Sequence, residues 1–248
     1  MRVSADIAAE AQRLIAAATE NGVLIRVAGG IAIAIRGSSS LPRQLRREYH
    51  DIDLVSQKGQ SKLVSDFMQT MGYVANVRFN TVQGHRRLMF AETSHGHQVD
   101  VFVGSFEMCH VLPIAARLEM DAYTIPLAEL LLTKLQIVQL NEKDRRDIIA
   151  LLVDHDVGDS DDGSINARYV AQLCADDWGL WRTSRMNIER VRMAIDQYDL
   201  AATRRSLVDT RLDALWQRIE AEPKSLRWRL RGQLGDRLRW YEEPEEVR

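Results

Sequence analysis

The sequence predicts an α/β (α+β) chain, in which a mixed sheet with helices on at least one face is followed by a helical C-terminal region. Three observations carry this. Strand-like and helix-like runs alternate through the first half of the chain. Three strand-like runs then follow at close spacing, separated by polar turns. From Pro126 onward the apolar residues recur only at helical intervals.

The elements follow in order. "SADIAAEAQRLIAAATENG" reads as an amphipathic helix capped by Ser4 and ending near Asn21 and Gly22. "VLIRVAG" is a short β-branched strand, and "GIAIAIRG" after it suits a helix of about two turns. "IDLVS" is a second buried strand, and "SKLVSDFMQTMG" a helix closed by Gly72. "YVANVRFN", "RRLMFAE" and "HQVDVFVG", with "TVQG" and "TSHG" between them, predict an antiparallel meander. "PLAELLLTKLQIVQL" and "EKDRRDIIALLVDH" are two helices, with Pro126 at a first-turn position. The acidic, glycine-containing "DVGDSDDGS" marks a boundary. It separates residues 1–157 (sheet core about 1–110, supporting helices about 111–157) from a helical region, 164–248.

Composition narrows the function classes. With 33 basic and 35 acidic residues, bulk charge points to neither a nucleic-acid-coated protein nor an acidic tail. No apolar run is long enough to span a bilayer, and no signal-peptide pattern opens the chain, so a cytoplasmic protein is expected. Cys109 and Cys174, the two cysteines, are expected as reduced thiols.

The chemistry-bearing residues start in "EYHDIDLVS". Asp51 and Asp53 lie two apart in a strand, so both carboxylates leave one face, their Cα atoms about 6.6 Å apart. Ile52 and Leu54 point into the core. Two such carboxylates repel unless a cation lies between them, and Mg²⁺ is the common partner. As a lone tripeptide the pair also suits a solvated strand end. Asp100, in the middle of the apolar "QVDVFVG", is costly to bury unpaired. It is either satisfied by Arg86 or Arg87, or it is the third wall of a metal site built with Asp51 and Asp53. Gly29 and Gly30 form a strand-to-helix turn where backbone can approach phosphate. Lys134 lies inside the apolar stripe of Leu127, Leu130, Leu131, Leu135 and Val138, either snorkelling or serving a triphosphate. Asp147 shares a face with Ile148 and Leu151, placed to pair with Lys134 or to hold an arginine or metal-bound water.

"VAGGIAIAIRG", "YHDIDLV", "QVDVFV" and "PLAELLLTKLQIVQLNEKDRRDI" together resemble the nucleotidyltransferase superfamily that includes DNA polymerase beta. The nearer resemblance is to its AbiEii-type, toxin-like bacterial branch, over roughly residues 23–149. The resemblance implies transfer of a nucleoside monophosphate from an NTP, with Mg²⁺ (or Mn²⁺) on Asp51, Asp53 and Asp100. Asp100 serves there as metal ligand or general base, and Gly29 and Gly30 cradle phosphate. Lys134 and Asp147 look like the branch's later motif, with Lys134 and Arg47 expected on the nucleotide. Polymerase-like members often place a serine after the first glycine; here Gly30 and Ile31 stand instead.

The acceptor classes are a tRNA end, a protein side chain or a small molecule such as an aminoglycoside, and an antitoxin is a partner expected of the branch. The alternatives are an aminoglycoside-type antibiotic nucleotidyltransferase and a non-catalytic nucleotide-binding module. Sugar-nucleotide glycosyltransferases also carry Asp-x-Asp but lack the Gly-Gly turn and the later helices. Arg43, Arg46 and Arg47 lie on the loop before Asp51, facing either triphosphate, an RNA acceptor or solvent. Near the end, Leu226, Leu230, Leu234 and Leu238 recur every four residues among basic residues, Trp228 and Trp240. This predicts a helix packed on its leucine seam with a solvated basic face, the alternative being an RNA-holding surface. His95, His97 and His110 match no zinc spacing, and no structural zinc is expected.

Overall fold

The computed structural model describes residue 3 and residues 6–243. The elements begin with α1 (Ile7–Glu20), β1 (Ile25–Ala28), α2 (Gly29–Arg36), β2 (Asp51–Ser56) and α3 (Ser61–Thr70). Then come β3 (Val74–Ala75), α4 (Val77–Gln83), β4 (Arg87–Ala91), β5 (Gln98–Val103), β6 (Phe106–Glu107) and β7 (Val111–Leu112). The remaining elements are α5 (Leu127–Leu135), α6 (Glu142–Asp154), β8 (Val157–Gly158), β9 (Ile165–Asn166), α7 (Ala167–Asp176), α8 (Trp178–Ala194), α9 (Ala202–Ala221) and α10 (Leu226–Leu234). The α/β class read from the sequence is the class observed.

Two compact units account for the chain. The first runs to Arg36 and takes in Glu48–Glu107 and Val111–Pro126; the second comprises Gly37–Arg47, Met108–His110 and the chain from Leu127. The division falls at Pro126, ahead of the acidic segment where the sequence suggested it. That segment is a tied loop within the second unit. Its ends pair as parallel strands, Val157 with Ile165 and Gly158 with Asn166. Asn166 Nδ2 donates to Asp161 at 2.7 Å, and Arg218 of α9 pairs with Asp159.

The first unit is built on a five-stranded sheet of order β1-β2-β5-β4-β3. β2 and β5 pair in parallel, and every other pair is antiparallel, so the sheet is mixed as expected. Ile52, Leu54, Val99 and Val101 are at most 1% exposed and share the core face. Burying each is worth about 1.5–3 kcal/mol. A one-residue slip of either strand would exchange these side chains for carboxylates, so the pattern fixes the register.

Three local expectations change. The α1 cap is Asp6, whose carboxylate accepts from Ala8 and Ala9 amides at 2.9 Å each; Ser4 lies outside the described residues. "YVANVRFN" gives only a two-residue strand before turning into α4, with "TVQG" inside that helix and its end. Asn76 caps α4 by accepting from the Phe79 amide. Asn80 then bonds both backbone groups of Met89, at 2.8 and 3.2 Å, and stands in for the missing strand neighbour. Finally, α5 stops at Leu135, short of the apolar pattern's end. Fully buried Asn187 of α8 donates to the carbonyls of Leu135 and Ile137, 2.8 Å each, satisfying groups that another turn of helix would have used.

α10 corrects the expected packing at the C-terminal end. Leu226, Leu230, Leu234 and Leu238 are 72, 56, 44 and 54% exposed. The opposite side of the helix packs instead. Trp228 meets Trp181 edge-on at 5.2 Å, and Arg231 lies over the Trp178 ring at 4.6 Å. Two indoles offer more apolar area and a better partner for the guanidinium than a leucine row does.

Both cysteines are free and buried, and burial pushes the Cys174 thiol up to about 12. No helix among the described residues is long and apolar enough to cross a membrane.

Candidate functional site

In the first unit the parallel register of β2 and β5 sets Asp53 directly beside Asp100 and Asp51 beside Gln98. Neighbouring strands are about 4.8 Å apart, and alternation places Asp51, Asp53 and Asp100 on one face, opposite the aliphatic core. Asp51 is exposed, while Asp53 and Asp100 are half-buried. The carboxylate trio read from the sequence therefore shares a face.

Asp53 owes its position to Gly29. β1 and β2 pair antiparallel with Ala28 opposite Asp53, so the next residue turns under that carboxylate. Gly29 has φ +62°, and a Cβ built on it would lie 2.0 Å from Asp53 Oδ2. Only glycine satisfies both demands. Gly29 and Gly30, both buried, open α2. Gly29→Ala is expected to cost about 1–2 kcal/mol for the left-handed conformation alone and to displace the Asp53 carboxylate. Urea melts check this: a variant as stable as wild type would show that the close approach is dispensable.

Asp100 has a cationic partner, Arg87 of β4, with Nη2 2.6 Å from Oδ2. Arg87 stacks over the rings of Phe102 and Phe79, 5.1 and 6.0 Å away, which holds the guanidinium on this face. Of the two arginines named in the sequence, Arg87 is thus the one that reaches Asp100; Arg86 pairs with Glu107. The other Asp100 oxygen, Oδ1, is buried without a hydrogen-bond partner.

The second unit gathers the other residues named in the sequence. Arg47 makes a two-pronged contact with Asp147, 2.8 Å to each oxygen. Lys134 pairs with Asp147 at 2.9 Å and with Asp144 at 3.2 Å. Lys134, Asp144 and Asp147 side chains are at most 11% exposed, so Lys134 does not snorkel to solvent. Burial works to raise the Asp147 pKa, but the Arg47 hydrogen bond and the two cations outweigh it and hold the carboxyl below its ordinary value. Arg46 is tied to carbonyls of Leu41 and Ser39, so the segment before Asp51 is a hydrogen-bonded turn. Asp144 is the member the sequence reading missed. Besides pairing with Lys134, it completes the cap of α6, where its amide donates to Oδ1 of the N-cap residue Asn141 at 3.0 Å.

No protein-family model matches the chain, and no curated protein matches it. Among solved structures the chain is similar to an antigenic nucleotidyltransferase-like protein from Paracoccidioides brasiliensis. The two are 14% identical with a TM-score of 0.44, over 90% of this chain and 96% of that one.

His110, the third histidine noted in the sequence, is buried in the second unit with its Nε2 2.9 Å from Thr183 Oγ1, and burial lowers its pKa. It lies in a different unit from His95 and His97.

Proposed function

We propose that the first unit is a Mg²⁺-dependent nucleotidyltransferase that moves a nucleoside monophosphate from an NTP to an acceptor hydroxyl. The observation that carries this is the in-register Asp53–Asp100 pair, with Asp53 seated over a glycine turn at the start of a helix. The donor set fits the ion: three carboxylates on one face offer only oxygen, and Asp100 Oδ1 is a buried oxygen with no other partner. Asp51, Asp53 and Asp100 would hold it. A divalent ion there supplies charge neutralisation for the triphosphate and the departing pyrophosphate.

The chain's own groups supply the rest. Amides opening α2 at Gly29 and Gly30 face phosphate oxygens, and Arg87 adds a fixed positive charge on the same sheet face. Asp100 takes the proton of the acceptor hydroxyl as its oxygen attacks the α-phosphorus. The bond from that phosphorus to the bridging oxygen breaks, and pyrophosphate leaves with the electron pair. Lys134, Arg47 and Asp147 serve this reading as support, matching one another's charge inside the second unit. The acceptor we favour is a tRNA end, as in the toxin-like branch.

A second reading, a nucleotide-binding module without transfer, is favoured by the Arg87–Asp100 pair, which occupies one oxygen of the proposed base. One experiment separates the two. Purified protein is incubated with each α-labelled NTP and Mg²⁺, with total tRNA, protein or aminoglycosides offered in turn. Label on RNA is expected. Label on a drug would identify an antibiotic-type transferase, and NTP binding without label anywhere would establish the module.

A further inference from the structure

The turn between β4 and β5 brings together three side chains that the sequence spacing did not join: Glu92, His95 and His97. Each offers a ligand atom, and these atoms all lie within 4.8 Å of one another. We infer that they form a binding site for a zinc-class transition-metal cation, separate from the aspartate site.

The geometry separates the two sites. The ladder runs one pair beyond the strands, with the Glu92 amide donating to the His97 carbonyl at 3.0 Å. By alternation Glu92 and His97 then share the face of Phe90 and Val99, opposite Asp100. The carboxylate is also fixed before any metal arrives. Glu92 is 3% exposed, and its oxygens accept from the amides of Ser94, His95 and His97 at 2.6 to 3.2 Å. Burial opposes its ionisation, yet these amides hold the carboxyl below its ordinary value. The two imidazoles stand beside it, rings 5.7 Å apart and 19° from parallel, with His95 Nδ1 3.9 Å from Glu92 Oε1.

Two imidazole nitrogens and one carboxylate oxygen suit Zn²⁺ and its neighbours, and not Mg²⁺ or Ca²⁺, which take oxygen. Around a four-coordinate zinc, with ligands about 2.1 Å from the ion, ligand atoms lie about 3.4 Å apart. Rotation of the partly exposed His95 closes the remaining gap. The ion would pin the β4–β5 turn and keep one position open to water.

The test strips the full-length protein with EDTA and titrates it with Zn²⁺, and separately with Co²⁺ read by its visible absorption. One ion per chain is expected, raising the melting temperature. His95→Ala and His97→Ala should each weaken binding by about tenfold or more, as loss of even an indirect partner does elsewhere. Glu92→Gln keeps one of the two acceptor oxygens that take the turn's amides and should weaken binding similarly, while Asp53→Asn should leave it unchanged. Absence of saturable Zn²⁺ binding by the folded wild-type protein, or binding as tight as wild type by His95→Ala and Glu92→Gln, would overturn the inference.

Discussion

Asp53→Asn is expected to abolish NTP turnover while leaving the protein folded and melting at or above the wild-type temperature. Asparagine keeps the shape that fits over Gly29, so the 2.0 Å constraint at that turn is met as before. It removes one of two carboxylates held side by side on adjacent strands, which relieves their repulsion. On the proposed function it removes an anionic ligand for the divalent ion, whose stabilisation of developing charge is worth several kcal/mol. At about 1.4 kcal/mol per decade, activity should fall by about a hundredfold or more. Thermal melts without metal, paired with turnover of the labelled NTP, provide the check. Wild-type turnover in the variant would remove the pair from catalysis, and a lowered melting temperature would mean that Asp53 is chiefly structural.

Asp147→Ala is expected to produce the largest loss of stability, about 3–5 kcal/mol, because it removes the buried carboxylate shared by two buried cations. Arg47 loses both oxygens of its two-pronged partner, and Lys134 loses one of its two carboxylates and keeps Asp144. Lys134→Met is the milder change, about 1–2 kcal/mol, since Asp147 retains Arg47 and the methionine preserves the apolar stem. The pH dependence has a definite sign. The folded Asp147 carboxyl is held below its ordinary value, so its contribution is complete above the unfolded value of about 3.9 and fades as pH falls through the folded one. Urea melts at neutral pH and down into the acid range, on wild type and both variants, measure this. NTP affinity is the second readout. A destabilised Lys134→Met that binds NTP normally supports the network role, whereas a stable variant that has lost NTP affinity assigns Lys134 to the triphosphate.

The shared face of the candidate carboxylates was legible because strand alternation is a local property. Asp51 and Asp53 share a face by their spacing, and Asp100 stands out in an apolar run, so all three could be named from residues close in the chain. Helical period likewise placed α2, α3 and α6, with Gly72 marking the end of α3. The errors came where a side chain competes with the pattern. Asn76 and Asn80 converted an expected strand into α4, and Asn187, distant in sequence, ended α5 early.

By itself the sequence determined the α/β class, the carboxylate strands, the glycine turn before them and the presence of a cation and a carboxylate on the two helices after Pro126. These rest on residue type and short-range periodicity, which each segment carries with it. Tertiary structure alone decided which groups meet. The parallel pairing of β2 with β5 put Asp53 beside Asp100, and the antiparallel pairing with β4 brought Arg87 to Asp100. Packing matched Lys134 to Asp144 as well as Asp147, and turned the leucines of α10 outward because Trp228 found Trp181. Partner choice depends on contacts between residues far apart in the chain, and burial depends on what covers a face; neither is written in the spacing of a single segment.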